Sequence, residues 1–320
     1  MSAMFCSWNM PMSVCGDSRR AGLPLSYPEI RGEDHFQEFH GSAGPVARTV
    51  DFLFSKGGAP MEPDLNQFYE NYDEESRLLS RAGNVEFVTT MHFIDRYLKP
   101  GMRVLEVGAA TGRYSHTLAL MGYRVDAVEY VQHNIDIFNS LTIPGEDVSI
   151  RQGDARDLSV FEDNTFDLTL VLGPMYHLFG ESERRQALRE AVRVTKTGGV
   201  IFAAYCMQDA AVLCYGFARN QLNERIRENR IDLTDFSQIH SRLDYFCLDR
   251  KESIDALREG LGVTQLHFVA AEGYAKHMDA ALTDMDQETY RLFLRYHLAT
   301  CERPDMVGIS HHTIDIFRKD

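Results

Sequence analysis

The segment Val104-Leu-Glu-Val-Gly-Ala-Ala-Thr-Gly-Arg-Tyr114 constrains this chain more than any other. Val104, Leu105 and Val107 read as a short buried strand, Gly108 to Gly112 as a loop of little bulk, and Arg113 to Met121 as a helix. A strand that runs through a glycine loop into a helix lets backbone approach a ligand closely and offers it unpaired N–H groups. A pyrophosphate loop would read Gly-x-Gly-x-x-Gly. Here the spacing is Gly-x-x-x-Gly, and Glu106 stands two residues before the first glycine. Such a loop suits a ligand with an amino group and no phosphate; an ordinary tight turn of an α/β protein is the plainer alternative.

Three further strand ends weaken that alternative. Arg124-Val-Asp-Ala-Val-Glu129 reads as a second strand with an acid at its end, 23 residues past Glu106. That is close to the offset of about 20 residues at which a strand-end acid hydrogen-bonds ribose hydroxyls. A third strand, Val148 to Arg151, leads into Gly153-Asp154-Ala155-Arg156-Asp157, where Asp154 is placed to accept from an exocyclic amine. A fourth, Phe166 to Leu172, follows the turn Asp163-Asn164 and ends in Gly173-Pro174-Met175-Tyr176-His177-Leu178. Ligands of open α/β sheets bind outside the carboxyl ends of the strands, where these polar and glycine residues fall.

With these residues in place the chain resembles the class I S-adenosylmethionine-dependent methyltransferases. The matching positions are Leu105 to Gly112, Glu129, Gly153-Asp154-Ala155, Phe166-Asp167-Leu168, Arg189 to Val194 with Gly198-Gly199, and the strand Val200 to Ala204. The resemblance covers roughly Phe87 to Cys206. It implies a Rossmann-like α/β fold: a seven-stranded, mostly parallel sheet with helices on both faces and an antiparallel last strand. It also implies S-adenosylmethionine as cofactor. Glu106, Gly108 and nearby backbone would hold the methionine portion, Glu129 both ribose hydroxyls, Asp154 and Ala155 the adenine, and the Leu172 carbonyl the amino group. Ala109, Thr111, Gly112, Tyr114, Tyr130, Arg156 and Gly173 complete the expected cofactor set.

Composition agrees with a cytoplasmic enzyme. The 320 residues, 44% hydrophobic and 25% charged, are enough to bury a full core. No apolar run approaches the ~18 residues that a membrane span needs. A net charge of −14 disfavours nonspecific binding to nucleic acid or an anionic membrane. The six cysteines (Cys6, Cys15, Cys206, Cys214, Cys247, Cys301) lack paired spacing, so they read as free thiols with no zinc pattern, and no metal is expected.

Residues 1–60 carry scattered Gly, Pro and Ser without a sustained period and read as a mobile extension, or as sequence upstream of a start at Met61. Residues 61–320 read as the methyltransferase domain. Leu65, Phe68, Tyr69 and Tyr72 recur at helical spacing, and Asp73 to Leu79 predicts a second short turn ended by Gly83. The resemblance places such a helix over the cofactor, with Tyr69 and Tyr72 against the sulfonium or the substrate; packing on the core is the plainer reading. Glu86 to Leu98 predicts an amphipathic helix. Asp209 is expected to cap a long helix reaching about Asn229, Tyr245 to Leu248 to form a short strand, and Asp249 to open a helix ending near Gly260. Val263 to Ala270 reads as a strand, Gln287 to Thr300 as a helix and Thr313 to Arg318 as the closing strand. Residues 207–248 therefore form an expected helical insertion, either a lid over a small-molecule pocket or a dimerisation element, in a monomer or homodimer.

Displacement at a sulfonium needs alignment and excluded water, and a hydroxyl or ammonium acceptor must also lose a proton. His177, with the phenol of Tyr176 beside it, is the candidate base, although a strand-end histidine is often a structural hydrogen bonder. His312 is a weaker candidate for the same pocket. The segment lacks the Asn/Asp-Pro-Pro-Tyr pattern of nucleobase and glutamine methylation. The expected function is methyl transfer to a small-molecule oxygen, nitrogen or sulfur acceptor. The alternatives are a non-catalytic S-adenosylmethionine-binding or regulatory protein, and an enzyme acting on protein or RNA. A dinucleotide oxidoreductase lacks its pyrophosphate loop here, and arsenite methylation would need Cys206, Cys214 and Cys247 to converge.

Overall fold

A computed structural model describes residues 64–72, 77, 80–240 and 244–320. The expectations for residues 1–60, for Met61 and for most of 73–79 lie outside these residues.

Four strands of the glycine-loop half pair in parallel: β1 (Arg103–Val107), β2 (Arg124–Glu129), β3 (Val148–Gln152) and β4 (Phe166–Val171). The long β5 (Thr195–Met207) runs parallel to β4 and is buried from Val200 onward. Beyond it come β6 (Leu248–Asp249), β7 (Val263–Ala270) and β8 (His312–Lys319). The order is β3-β2-β1-β4-β5-β8-β7, with β8 antiparallel to both neighbours and β6 paired to Cys206–Met207 of β5. The expected seven strands form the continuous path, and β6 is an eighth. Apolar runs in β1, β4 and β5 place Leu105, Val107, Val171, Ile201 and Ala203 in one core with Leu188 and Ala191, as strands covered on both sides require.

Helices pack around the sheet. They are α1 (Leu65–Glu70), α2 (Arg81–Tyr97), α3 (Arg113–Leu120), α4 (Gln132–Leu141) and α5 (Glu181–Val194). α2 begins five residues before the expected start, because Ser80 Oγ caps it by accepting from the Gly83 N–H at 3.0 Å. Gly83, read as a stop, lies inside its first turn. No described helix is long and apolar enough to cross a membrane.

The insertion departs most from expectation. In place of one long helix, α6 (Gln208–Ala211) passes into a π-helical turn over Val212–Phe217, and α7 (Leu222–Arg227) follows separately. Ala218 and Gln221 donate to Leu213 and Gly216, five residues back, and Asn220 then turns left-handed at φ +56°. The expected strand Tyr245 to Leu248 shrinks to Leu248–Asp249. Asp249 does not cap the next helix, α8 (Lys251–Arg258), whose cap position is Arg250. Its buried carboxylate instead pairs bidentately with Arg184 of α5, fastening the end of the insertion to the sheet's helical layer.

Candidate functional site

The carboxyl ends of β1 to β5 open on a cavity of about 900 Å³. At its inner end β1 delivers Glu106, 2% exposed, whose Oε2 accepts from the Ser115 hydroxyl of α3. Burial pushes its carboxyl up to about 8, with the Glu129 charge adding to the effect. The loop after β1 is shaped by close contact. Gly108 has φ +76°, and a Cβ there would sit 2.6 Å from Pro174 Cδ, so only glycine lets this loop meet the loop after β4. Ala110 also adopts a left-handed conformation, at φ 47°.

Glu129 at the end of β2 holds that loop. Its Oε2 accepts from the Ala110 N–H at 2.8 Å, and its Oε1 accepts from the Val131 N–H at 2.9 Å and from Asn134 Nδ2 at 3.5 Å. Burial raises its pKa. Asn134, buried in α4, is a site residue that the sequence reading missed; five residues past Glu129 it looked like an ordinary helix position. Asp154, after β3, faces the cavity but is already engaged. Arg156 donates to it from Nε and Nη2 at 3.0 and 2.6 Å, and that cation holds the Asp154 carboxyl below its usual range. Arg156 also pairs with Glu183 of α5.

Of the sequence-derived cofactor set, Glu106, Gly108, Ala109, Thr111, Tyr114, Glu129, Tyr130, Asp154, Ala155, Arg156, Leu172 and Gly173 all line this cavity. Gly112 does not. At φ +90° it caps α3, and a Cβ would lie 2.3 Å from Phe138 Cδ2, so it serves helix packing. The Leu172 carbonyl accepts from the Tyr176 hydroxyl at 2.9 Å, a second use of a carbonyl expected to meet the ligand's amino group.

The outer end gathers aromatic and titratable groups. Phe68 of α1, fully buried, packs on Tyr72 and Tyr245 with ring centroids 5.1 and 4.7 Å away. That anchor brings the Tyr69 hydroxyl 2.8 Å from His177 Nε2. His177 Nδ1 lies 2.8 Å from the Tyr245 carbonyl, which can only accept, so Nδ1 carries the proton and Nε2 accepts from Tyr69. Burial pushes His177 down to about 4, so the ring is neutral at pH 7. Tyr72 lines an adjoining side chamber and not the main cavity.

His312, at the start of β8, lines both spaces. Burial opposes its charge, but Glu272 and Glu86 outweigh it and hold its pKa well above the usual histidine value. Glu86 of α2, another residue the sequence reading passed over, also pairs with Arg77 at 2.8 Å. Burial works against its ionisation, yet Arg77 and His312 bring it down to about 2. The insertion supplies His240, Asp244 and Tyr245 to the cavity wall, and the Cys247 N–H donates to the Tyr176 carbonyl at 2.7 Å.

Residues 105–203 match a family model described as a methyltransferase domain. The chain is 36% identical over 135 residues to the cypemycin N-terminal methyltransferase of a Streptomyces species, covering 42% of this chain and 52% of that protein. It is 34% identical over 105 residues to the demethylmenaquinone methyltransferase of Renibacterium salmoninarum, covering 33% of this chain and 41% of that protein. The match thus spans about half the length of the curated relatives. Among solved structures, the complex of the Haloferax volcanii Trm112 methyltransferase activator with a putative methyltransferase shares the fold. Its TM-score is 0.51 at 14% identity, over 81% of this chain and 99% of that one.

Proposed function

Because the chain belongs, through residues 105–203, to the class I S-adenosylmethionine-dependent methyltransferases, we propose that it transfers a methyl group from that cofactor to a small-molecule acceptor. The observation that carries this reading is one continuous cavity of about 900 Å³, lined from Glu106 and Glu129 to Tyr69 and His177. Its volume lies at the upper end of small-molecule sites.

The donor residues fit the cofactor. Glu106 would offer a buried acid to the amino group, and Glu129, which fixes the loop through Ala110 and lines the cavity, would hold the ribose hydroxyls. When bound, S-adenosylmethionine supplies an electrophilic methyl group on a sulfonium. The chain's own part is to align an acceptor and exclude water. In this reading residues 207–248 act as a lid, and His240, Asp244 and Tyr245 close the acceptor end. Tyr69 meets the acceptor's proton and passes its own phenolic proton to the His177 Nε2 lone pair, so the imidazole is the net proton acceptor. The Nδ1 proton of His177 stays tied to the Tyr245 carbonyl, which aims Nε2 at the phenol. A ring with a pKa near 4 is a weak base at pH 7 and returns the proton to solvent readily.

Calorimetry with S-adenosylmethionine, followed by S-adenosylhomocysteine release from separate small-metabolite, protein and RNA pools, tests the proposal. Micromolar binding and product from the small-metabolite pool are expected. Absence of cofactor binding, or turnover with only a macromolecular pool, would overturn it.

A further inference from the structure

The side chamber of about 100 Å³ shares Tyr69, Glu86, Tyr176 and His312 with the main cavity and continues to the seam between β5 and β8. The antiparallel register there sets Cys206 opposite His312. Donor atoms of Cys206, His311 and His312 all lie within 4.8 Å of one another, and all three residues line the chamber. Cys206 is 1% and His311 8% exposed. His311 Nδ1 has no hydrogen-bond partner among the described residues, although a buried imidazole nitrogen ordinarily finds one.

The neighbouring contacts resemble a prepared coordination shell. His312 Nδ1 lies 3.3 Å from Glu272 Oε2, and its backbone N–H donates to Glu272 Oε1 at 2.7 Å. A carboxylate holding one ring nitrogen so that the other faces inward is the usual support of a metal-ligating histidine. The His312 ring lies with a donor atom within 4.8 Å of the Cys206 thiol. Arg77 and Lys276 also line the chamber, against Glu86, Glu272 and Asp244, and a thiolate from Cys206 would add a further negative charge that favours a divalent cation.

We propose that Cys206, His311 and His312 bind one zinc ion, with Glu272 orienting His312 and a fourth coordination position open to the chamber. One thiolate and two imidazoles form a donor set suited to zinc, and three protein ligands with an open position are the pattern of a reactive rather than a purely structural site. The thiol proton of Cys206 and the proton on the metal-facing nitrogen of His312 both leave to solvent as the metal binds.

The full chain, freed of metal with a chelator, is titrated with Co²⁺ and with Zn²⁺, and protein from zinc-supplemented cells is assayed for metal content. One metal per chain and a thiolate-to-cobalt absorption band are expected. Cys206→Ser and His311→Ala should each weaken binding by more than about 100-fold. A wild-type chain with no saturable metal binding or no thiolate band overturns the proposal, whether or not the variants fold. So does full-strength binding by folded Cys206→Ser. Calorimetry of S-adenosylmethionine on the same preparations separates failure of this site from failure of the cofactor reading.

Discussion

If Glu106 receives the cofactor's ammonium group, as proposed above, cofactor binding should release a proton. Its carboxyl is 2% exposed and lines the cavity, and burial moves its pKa from 4.5 to about 8. At pH 7, one unit below that value, roughly nine-tenths of unliganded molecules carry the proton. A ligand that sets an ammonium beside Glu106 favours the carboxylate and expels it. Binding at pH 7 should therefore release about 0.9 proton, falling to about 0.1 at pH 9. Affinity should rise roughly tenfold per pH unit below 8 and level off above it. The sign for folding runs the opposite way. Because the folded pKa is raised, the stability contributed by Glu106 in the unliganded chain is complete below 4.5 and lost as pH rises through about 8. Calorimetry of S-adenosylmethionine binding in buffers of different ionisation heat reads the proton count directly. Glu106→Gln resembles the protonated acid in shape, so it should leave the melting temperature at pH 7 nearly unchanged. It should abolish proton release and weaken binding by roughly 10- to 150-fold, corresponding to the ~1.5–3 kcal/mol of a charged hydrogen bond. Wild-type binding without proton release, or undiminished release in Glu106→Gln, would refute the argument.

Two further outcomes follow from the geometry. Tyr69→Phe should lower kcat by about 10²- to 10⁴-fold with cofactor affinity retained, and the wild-type rate between pH 5 and 8 should show no limb near 6.5, because His177 titrates near 4; a limb at 6.5 that vanishes in His177→Gln would count against the buried, neutral His177 on which the Tyr69 relay depends. Gly112→Ala should cost about 2–4 kcal/mol in urea unfolding, from its φ of +90° and the contact a Cβ would make with Phe138; a loss below about 0.5 kcal/mol would mean that α4 yields easily.

The parallel half of the fold was legible because each of its strands ends in a residue with a visible task. Glu106, Glu129 and Gly108 each fall where a strand period gives way to a turn. The insertion was not legible, since its apolar positions fit a helix equally well whether the backbone continues or shifts by one residue at Val212–Phe217. The outer end of the cavity was hidden for other reasons. His177 is oriented by the backbone carbonyl of Tyr245, and side-chain identity says nothing about a carbonyl. Cys206 and His312 meet only through strand register, so no sequence spacing announces them. Asp154 reads as a ligand acceptor in the sequence, and only the fold shows that Arg156, two residues on, also pairs with it.

The interior position of β8 also governs how the molecule assembles. β1 to β5 join segments a few dozen residues apart, whereas the pairing from Val200↔Arg318 to Cys206↔His312 closes a loop of more than a hundred. Such distant pairings are slow to form. During that interval β5 exposes an apolar edge along Val200 to Met207, which in a crowded solution is a template for pairing with another chain. The strand that brings His312 to the cavity is thus also the one that covers this edge of β5.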